Sequence, residues 1–148
     1  MAHRCYPDKW LLLVAGALVL GCSAGVGANL PPFDGALAVG TWGGDGAGVI
    51  VADTSMHVHI GCTFGDVSGR VPLVNGAFDV AGSYMLRAYP ITVGPTVPAR
   101  FTGRVTGRIA TITVTVNDTV QHQTVVKGPV AVSFGATPQL GPCPICRR

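Results

Sequence analysis

Three segments, each built around a two-residue turn, constrain this chain more than any other feature. In such a hairpin the residues flanking the loop, and every second pair beyond, share one face of the sheet. In GVIVADTSMHVHIGC, a loop at Thr54–Ser55 opposes Val51 to Val58, Val49 to Ile60 and Ala47 to Cys62, a wholly apolar face. Ile50, Ala52, His57, His59 and Gly61 fall on the other side. In VPLVNGAFDVAGSY, Asn75–Gly76 is a strong hairpin signal. It opposes Leu73 to Phe78 and Val71 to Val80, with Gly82 and Tyr84 continuing that face. In ARFTGRVTGRIATITVTV, a turn at Thr106–Gly107 opposes Gly103 to Ala110 and Phe101 to Ile112. Val114 and Val116 extend that face, while Thr111, Thr113 and Thr115 alternate onto the other.

One apolar and one polar or mixed face, three times over, predicts an antiparallel meander. With ALAVGTW before these hairpins and QTVVKG and VAVSF after them, the count reaches about eight strands. No helical period of any length appears after the first twenty residues. The predicted fold is therefore all-β: an up-and-down meander closed into a small barrel, which removes exposed sheet edges. A β-sandwich is the alternative.

The 148-residue chain suffices for one domain. Its start is organised differently from the rest. MAHRCYPDKW carries Arg4 and Lys9, LLLVAGALVL is an uncharged apolar run too short to span a bilayer, and small residues follow. This is the three-part pattern of a secretory signal over residues 1–21. VLGC, from Val19 to Cys22, resembles the lipobox of bacterial lipoproteins. That resemblance implies cleavage before Cys22, lipidation of its sulfur with diacylglycerol and palmitate-type chains, and anchoring to a membrane facing the periplasm or exterior. Stable anchoring takes more than one acyl chain. An ordinary signal peptide, cut after CSAG or GVGA, is the alternative. Residues 22–37 are rich in Gly, Ala and Pro and read as a flexible tether. The β-domain is expected over 38–135 and a Pro-rich tail over 136–148.

Removing residues 1–21 takes Arg4 and Lys9 from ten basic residues and Asp8 from seven acidic ones, which leaves a net charge of only +2. So small a bias does not point to nucleic acid.

The phrases GTWGG, VIVADT, FDVAGSY, PARFTGRVTG and ATITVTVNDT, in this order and spacing, are similar to a group of uncharacterised bacterial secreted or lipoprotein β-domains. The resemblance spans Gly40 to Gly128 and implies one cysteine in the third strand and another near the C-terminus. It brings no activity. Where that group carries an acidic residue and a histidine after Trp-Gly-Gly, this chain has Asp45 and Gly46. Where the group has a histidine two residues past the cysteine, this chain has Phe64. The Gly-x-Trp of Gly40 to Trp42 also resembles the first strand of lipocalin-like and avidin-like barrels.

Five cysteines are present. Cys5 leaves with the signal and Cys22 takes lipid, so Cys62, Cys143 and Cys146 remain in an oxidising compartment, where disulfides persist. The group resemblance implies a bridge from Cys62 to Cys143 or Cys146. Closing a loop of this length is worth about 4.5 kcal/mol in the chain-entropy model. A Cys143–Cys146 bridge within CPIC is the rival. A redox-active pair of that kind, however, sits at a helix N-terminus in a βαβ unit, not in a Pro-rich tail.

His57, His59, Cys143 and Cys146 could in principle hold zinc, because His-x-His puts both rings on one strand face. The simpler expectation is a solvent-facing pair and no metal or other cofactor, since no second spaced ligand pair lies on a neighbouring strand. None of Ser55, Ser68, Ser83 and Ser133 lies in a Gly-x-Ser-x-Gly elbow. Asp45, Asp53 and Asp66 fall in expected turns, where aspartate serves the backbone. Gly43 to Gly48 lacks a phosphate-loop spacing and leads into a strand. Arg100 and Arg104 share an outward face, within reach of anionic headgroups or simply keeping the sheet wet.

The expectation is thus a non-enzymatic envelope lipoprotein with a binding or structural β-domain, its partner an envelope protein or a small apolar ligand. A second reading is a calycin-like ligand barrel with Trp42, Phe78, Tyr84 and Phe101 lining a cavity. A third is an inhibitor of an extracellular hydrolase acting through the 87–100 loop, which is long for a hairpin connection.

Overall fold

The computed structural model describes residues 35–88 and 94–143. The expected signal, Cys22 and most of the expected tether lie outside them, as do the middle of the 87–100 loop and Cys146. Eight strands follow one another: β1 (Gly40–Gly44), β2 (Ala47–Ala52), β3 (Ser55–Ile60), β4 (Thr63–Ser68), β5 (Ala77–Met85), β6 (Val97–Thr106), β7 (Ile109–Asp118) and β8 (Gln123–Phe134). Each pairs antiparallel with the next, and β8 returns to β1, so the sheet is a closed up-and-down barrel. The expected all-β barrel is what the chain forms.

Alternation carries the fold. Val49, Val51, Met56, Val58, Phe101, Ile112, Val114 and Val116 all point inward and are buried. Two hairpins sit one pair away from the expected register. Val51 opposes Met56 and Val49 opposes Val58, around an Asp53–Thr54 turn. Phe101 opposes Val114 and Gly103 opposes Ile112, around Gly107–Arg108. A slip of two residues leaves every side chain on its expected face, whereas a slip of one would invert them. Asn75–Gly76 is a turn as expected, with both residues at positive φ (52° and 74°), the geometry that suits a two-residue hairpin.

Three features differ from the sequence reading. The segment VPLV forms no barrel strand; it joins β5 only through the Val74–Ala77 bridge. It plugs one end of the barrel instead. Leu37 N–H donates to the Val71 carbonyl (2.9 Å), Leu73 N–H donates to Gly35 (2.8 Å), and both Leu37 and Val71 are buried. Residues 36 and 37, expected in the tether, therefore belong to the barrel. In place of VPLV, β4 is TFGDVS, which pairs with β3 on one side and β5 on the other. Finally, QTVVKG and VAVSF are one strand. The register against β7 jumps from Val114↔Lys127 to Ile112↔Val130, so Gly128 and Pro129 together oppose Thr113. This bulge shifts the inward positions from odd (Val125) to even (Val130, Val132), which hides the continuity of β8 from a strict alternation reading.

The interior is filled by rings lying on glycines. A Cβ at Gly103 would come within 2.4 Å of the Phe78 ring, and one at Gly65 within 2.4 Å of the Tyr84 ring. Trp42 packs edge-on against Phe134, with centroids 5.1 Å apart, and donates its indole N–H to the Ala38 carbonyl (3.0 Å). Each fully buried aromatic of this kind contributes about 1.5–3 kcal/mol over leaving it in water. At the opposite end from the plug, Asp118 is buried and accepts from the Arg87 guanidinium at 2.6 Å. Burial pushes its carboxyl upward. The Arg87 bond, with backbone N–H bonds from Gln121 and Val120, outweighs that and holds it below the ordinary carboxylate range.

Candidate binding face

The outer wall formed by β2, β3 and β4 brings together residues the sequence leaves apart. Two cross-strand rows run over it. One is Thr41, Ile50, His57, Asp66 and Ser83; the other is Gly43, Gly48, His59, Phe64 and Met85. Both histidines point outward, as expected from parity. His57 Nδ1 lies 2.6 Å from Asp66 Oδ1. The two imidazole centroids are 4.8 Å apart, and the Phe64 ring sits 5.6 Å from His57 and 5.4 Å from His59. Partial burial lowers the pKa of His59, and the neighbouring His57 lowers it further against an opposing pull from Asp66.

The C-terminal tail crosses this wall. Gly135 N–H donates to Thr41 (2.7 Å), Gln139 N–H to Gly44 (3.0 Å) and Gly46 N–H to Gln139 (2.9 Å), so residues 136–139 complete the edge of β1. The path exists because two outward residues lack side chains. A Cβ at Gly43 would lie 2.4 Å from the Ala136 carbonyl oxygen, and one at Gly48 would lie 2.7 Å from the Pro138 ring. Cys143 then joins Cys62, with Cα atoms 5.6 Å apart, and closes a loop of sequence separation 81. The tail, expected as a separate segment from 136, is thus part of the barrel wall as far as Cys143.

Between tail and wall lie two clefts. One, of about 290 Å³, is lined by Ile50, His57, His59, Pro138 and Leu140. The other, of about 250 Å³, is lined by His59, Phe64, Leu140 and the Cys62–Cys143 pair. His59 and Leu140 border both. Ile50 is 57% exposed and Leu140 44% exposed, so apolar surface flanks the imidazoles.

The anticipated site residues separate cleanly. Cys62 is bonded to Cys143, one of the two partners implied by resemblance. Parity had placed Cys62 on the inward face. It lies instead in the Gly61–Cys62 turn after β3 ends, and its sulfur borders the same outer cleft as His59. The zinc quartet is not assembled, because Cys143 is committed to the disulfide. Among the described residues no three His, Cys, Asp or Glu side chains converge on one point. Trp42, Phe78, Tyr84 and Phe101 all point inward and are buried core residues. The Tyr84 hydroxyl bonds Thr63 Oγ1 at 2.9 Å; burial raises its pKa, and that bond opposes the rise.

In the 87–100 segment, Val97–Arg100 belong to β6, Arg87 is held by Asp118, and residues 89–93 lie outside the described residues. Arg100 does not face solvent alone: it grips Asp79 across β5 and β6 through Nε (2.6 Å) and Nη2 (2.8 Å). That bond holds the Asp79 carboxyl below its usual range.

Asp66 is the residue of this face that the sequence reading places in a turn and the structure places beside His57. Its signal was present: with Gly61–Cys62 as a two-residue turn, the pairing arithmetic that serves the other hairpins sets His57 opposite Asp66. No protein-family model, curated protein or solved structure matches the chain.

Proposed function

We propose that the chain is a cell-envelope lipoprotein, held to a membrane through lipid on Cys22, whose barrel works as a non-enzymatic binding module through the outer wall of β2–β4. The observation that carries this reading is that two adjoining apolar clefts and two imidazoles meet on one wall. Inside the barrel, Phe78 and Tyr84 already press on Gly103 and Gly65. Outside, two clefts between the tail and the wall offer exposed Ile50 and Leu140 beside two imidazoles. A rigid concave surface with apolar walls and a few convergent polar groups is the usual form of a binding site. The partner is an envelope protein or a small apolar molecule, and the net charge of the mature part gives no pull toward nucleic acid.

Two measurements test this reading. Labelling with a palmitate analogue is expected to mark the parent chain and not a Cys22→Ala variant; label retained in that variant contradicts the anchor. A photo-crosslinking residue at Ile50 is expected to give discrete adducts in the intact envelope, and the same residue at Thr111, on the opposite wall, none. Equal adducts at both positions, or adducts at Thr111 alone, would overturn the choice of face.

A further inference from the structure

The geometry of His57, His59 and Asp66 points to an open metal site, and we propose that this pair of imidazoles binds one borderline divalent cation of the Zn(II) class. The inference deepens the reading of this wall as the binding face by naming a ligand for it.

Spacing is the first argument. Two imidazoles bound to one tetrahedral metal at about 2.1 Å each have ring centres roughly 5 Å apart. His57 and His59 stand at 4.8 Å, on one strand face, without rearrangement of the backbone. Tautomer is the second argument. A metal-binding histidine commonly gives its other ring nitrogen to a carboxylate, which fixes the ring and raises its basicity. Asp66 Oδ1 at 2.6 Å from His57 Nδ1 is that arrangement for the tautomer with its proton on Nδ1, in which Nε2 is the nitrogen that faces a metal.

The setting agrees with these two arguments. Phe64 packs against both rings, and Ile50, Pro138 and Leu140 line the cleft beside them, so the pair has an apolar flank. Among the described residues two protein ligands are present, and the remaining positions are open for water or for a donor atom from a bound molecule. Such a site has one protein ligand fewer than an open three-ligand zinc site and is distinct from the closed four-ligand sites that hold a fold together.

The test uses the full chain, its disulfide intact, titrated with Zn(II) alone at pH 7.5. Imidazole nitrogen resonances of His57 and His59 are expected to shift together and saturate at one equivalent. In a His57→Ala/His59→Ala variant, the number of zinc ions bound is expected to fall by one. Asp66→Asn is expected to weaken binding by about tenfold or more while leaving the fold unchanged. Unmoved His57 and His59 resonances under excess zinc, or an unchanged zinc count in the double variant, would overturn the site. The outcomes are separable from those for the face itself. Adducts from Ile50 without zinc binding would remove the metal and keep the face; zinc binding with equal adducts at Ile50 and Thr111 would keep the metal and remove the partner site.

Discussion

Strands β5 to β8 run for nine to twelve residues, whereas β1 to β4 run for five or six. The long strands are sewn by extended ladders, such as Ala99↔Val116 through Thr106↔Ile109 between β6 and β7. The short side has less to hold it. β1 meets β8 at Trp42↔Phe134 and Gly43↔Ser133, and the bonds that complete its edge come from the tail. The disulfide, the tail and the plug of residues 36–37 and 71–73 all serve this weaker half. The histidine face lies there too. Elements with short ladders need covering, and the cover leaves clefts along its margins. The candidate site is thus a consequence of how the short half is closed.

The largest way to break this contrast is to empty the shared core. Phe101→Ala is expected to cost about 3–5 kcal/mol and to lower the unfolding temperature of the whole barrel, read by thermal denaturation. It should affect both halves alike, since Phe101 is fully buried between them. A Cys62→Ser/Cys143→Ser variant is expected to cost about 2–4 kcal/mol, somewhat below the chain-entropy figure, with the effect concentrated on the short half. Gly48→Val is smaller again. Its side chain meets the Pro138 ring rather than backbone, so the tail is displaced and the strand is kept. About 1 kcal/mol is expected from such overpacking, together with faster proteolysis between Gly135 and Cys143 in a time course.

The smallest effect is that of mild acid on His59. Its pKa is lowered in the folded state, so the unfolded chain takes up a proton more readily as pH falls below about 6.5. The contribution of neutral His59 is present above that pH and is lost as pH falls through its folded value. Denaturant midpoints measured from pH 7.5 to 5 should decline, and a His59→Gln variant should decline less steeply. An unchanged slope would show that His59 contributes nothing to the pH dependence of stability.

Much of this was legible in the chain before any coordinates. Face assignment holds along the paired strands because side chains alternate with period two, even where Asp53–Thr54 and Gly107–Arg108 replace the expected turns; it fails at Cys62, which lies past the end of β3. The strand β4 was not legible, since Gly65 and Asp66 are poor strand formers taken singly and VPLV is a better one. Pairing on both sides overrode propensity. β8 was read as two strands because Gly128 and Pro129 look like a break, whereas a bulge absorbs them. The site suffered most from the missing β4: without it Asp66 belongs to a loop, and His57 has no carboxylate. The course of the tail over Gly43 and Gly48 depends on contacts between distant segments, and no local pattern encodes it.

Native-state hydrogen exchange on the Cys62→Ser/Cys143→Ser variant tests the contrast most directly. The expected result is lost protection for amides of β1 to β3 and residues 136–143, with β6 and β7 still exchanging as slowly as global unfolding allows. Loss spread evenly over all eight strands, or confined to β6 and β7, would contradict a barrel whose short half is held by its tail.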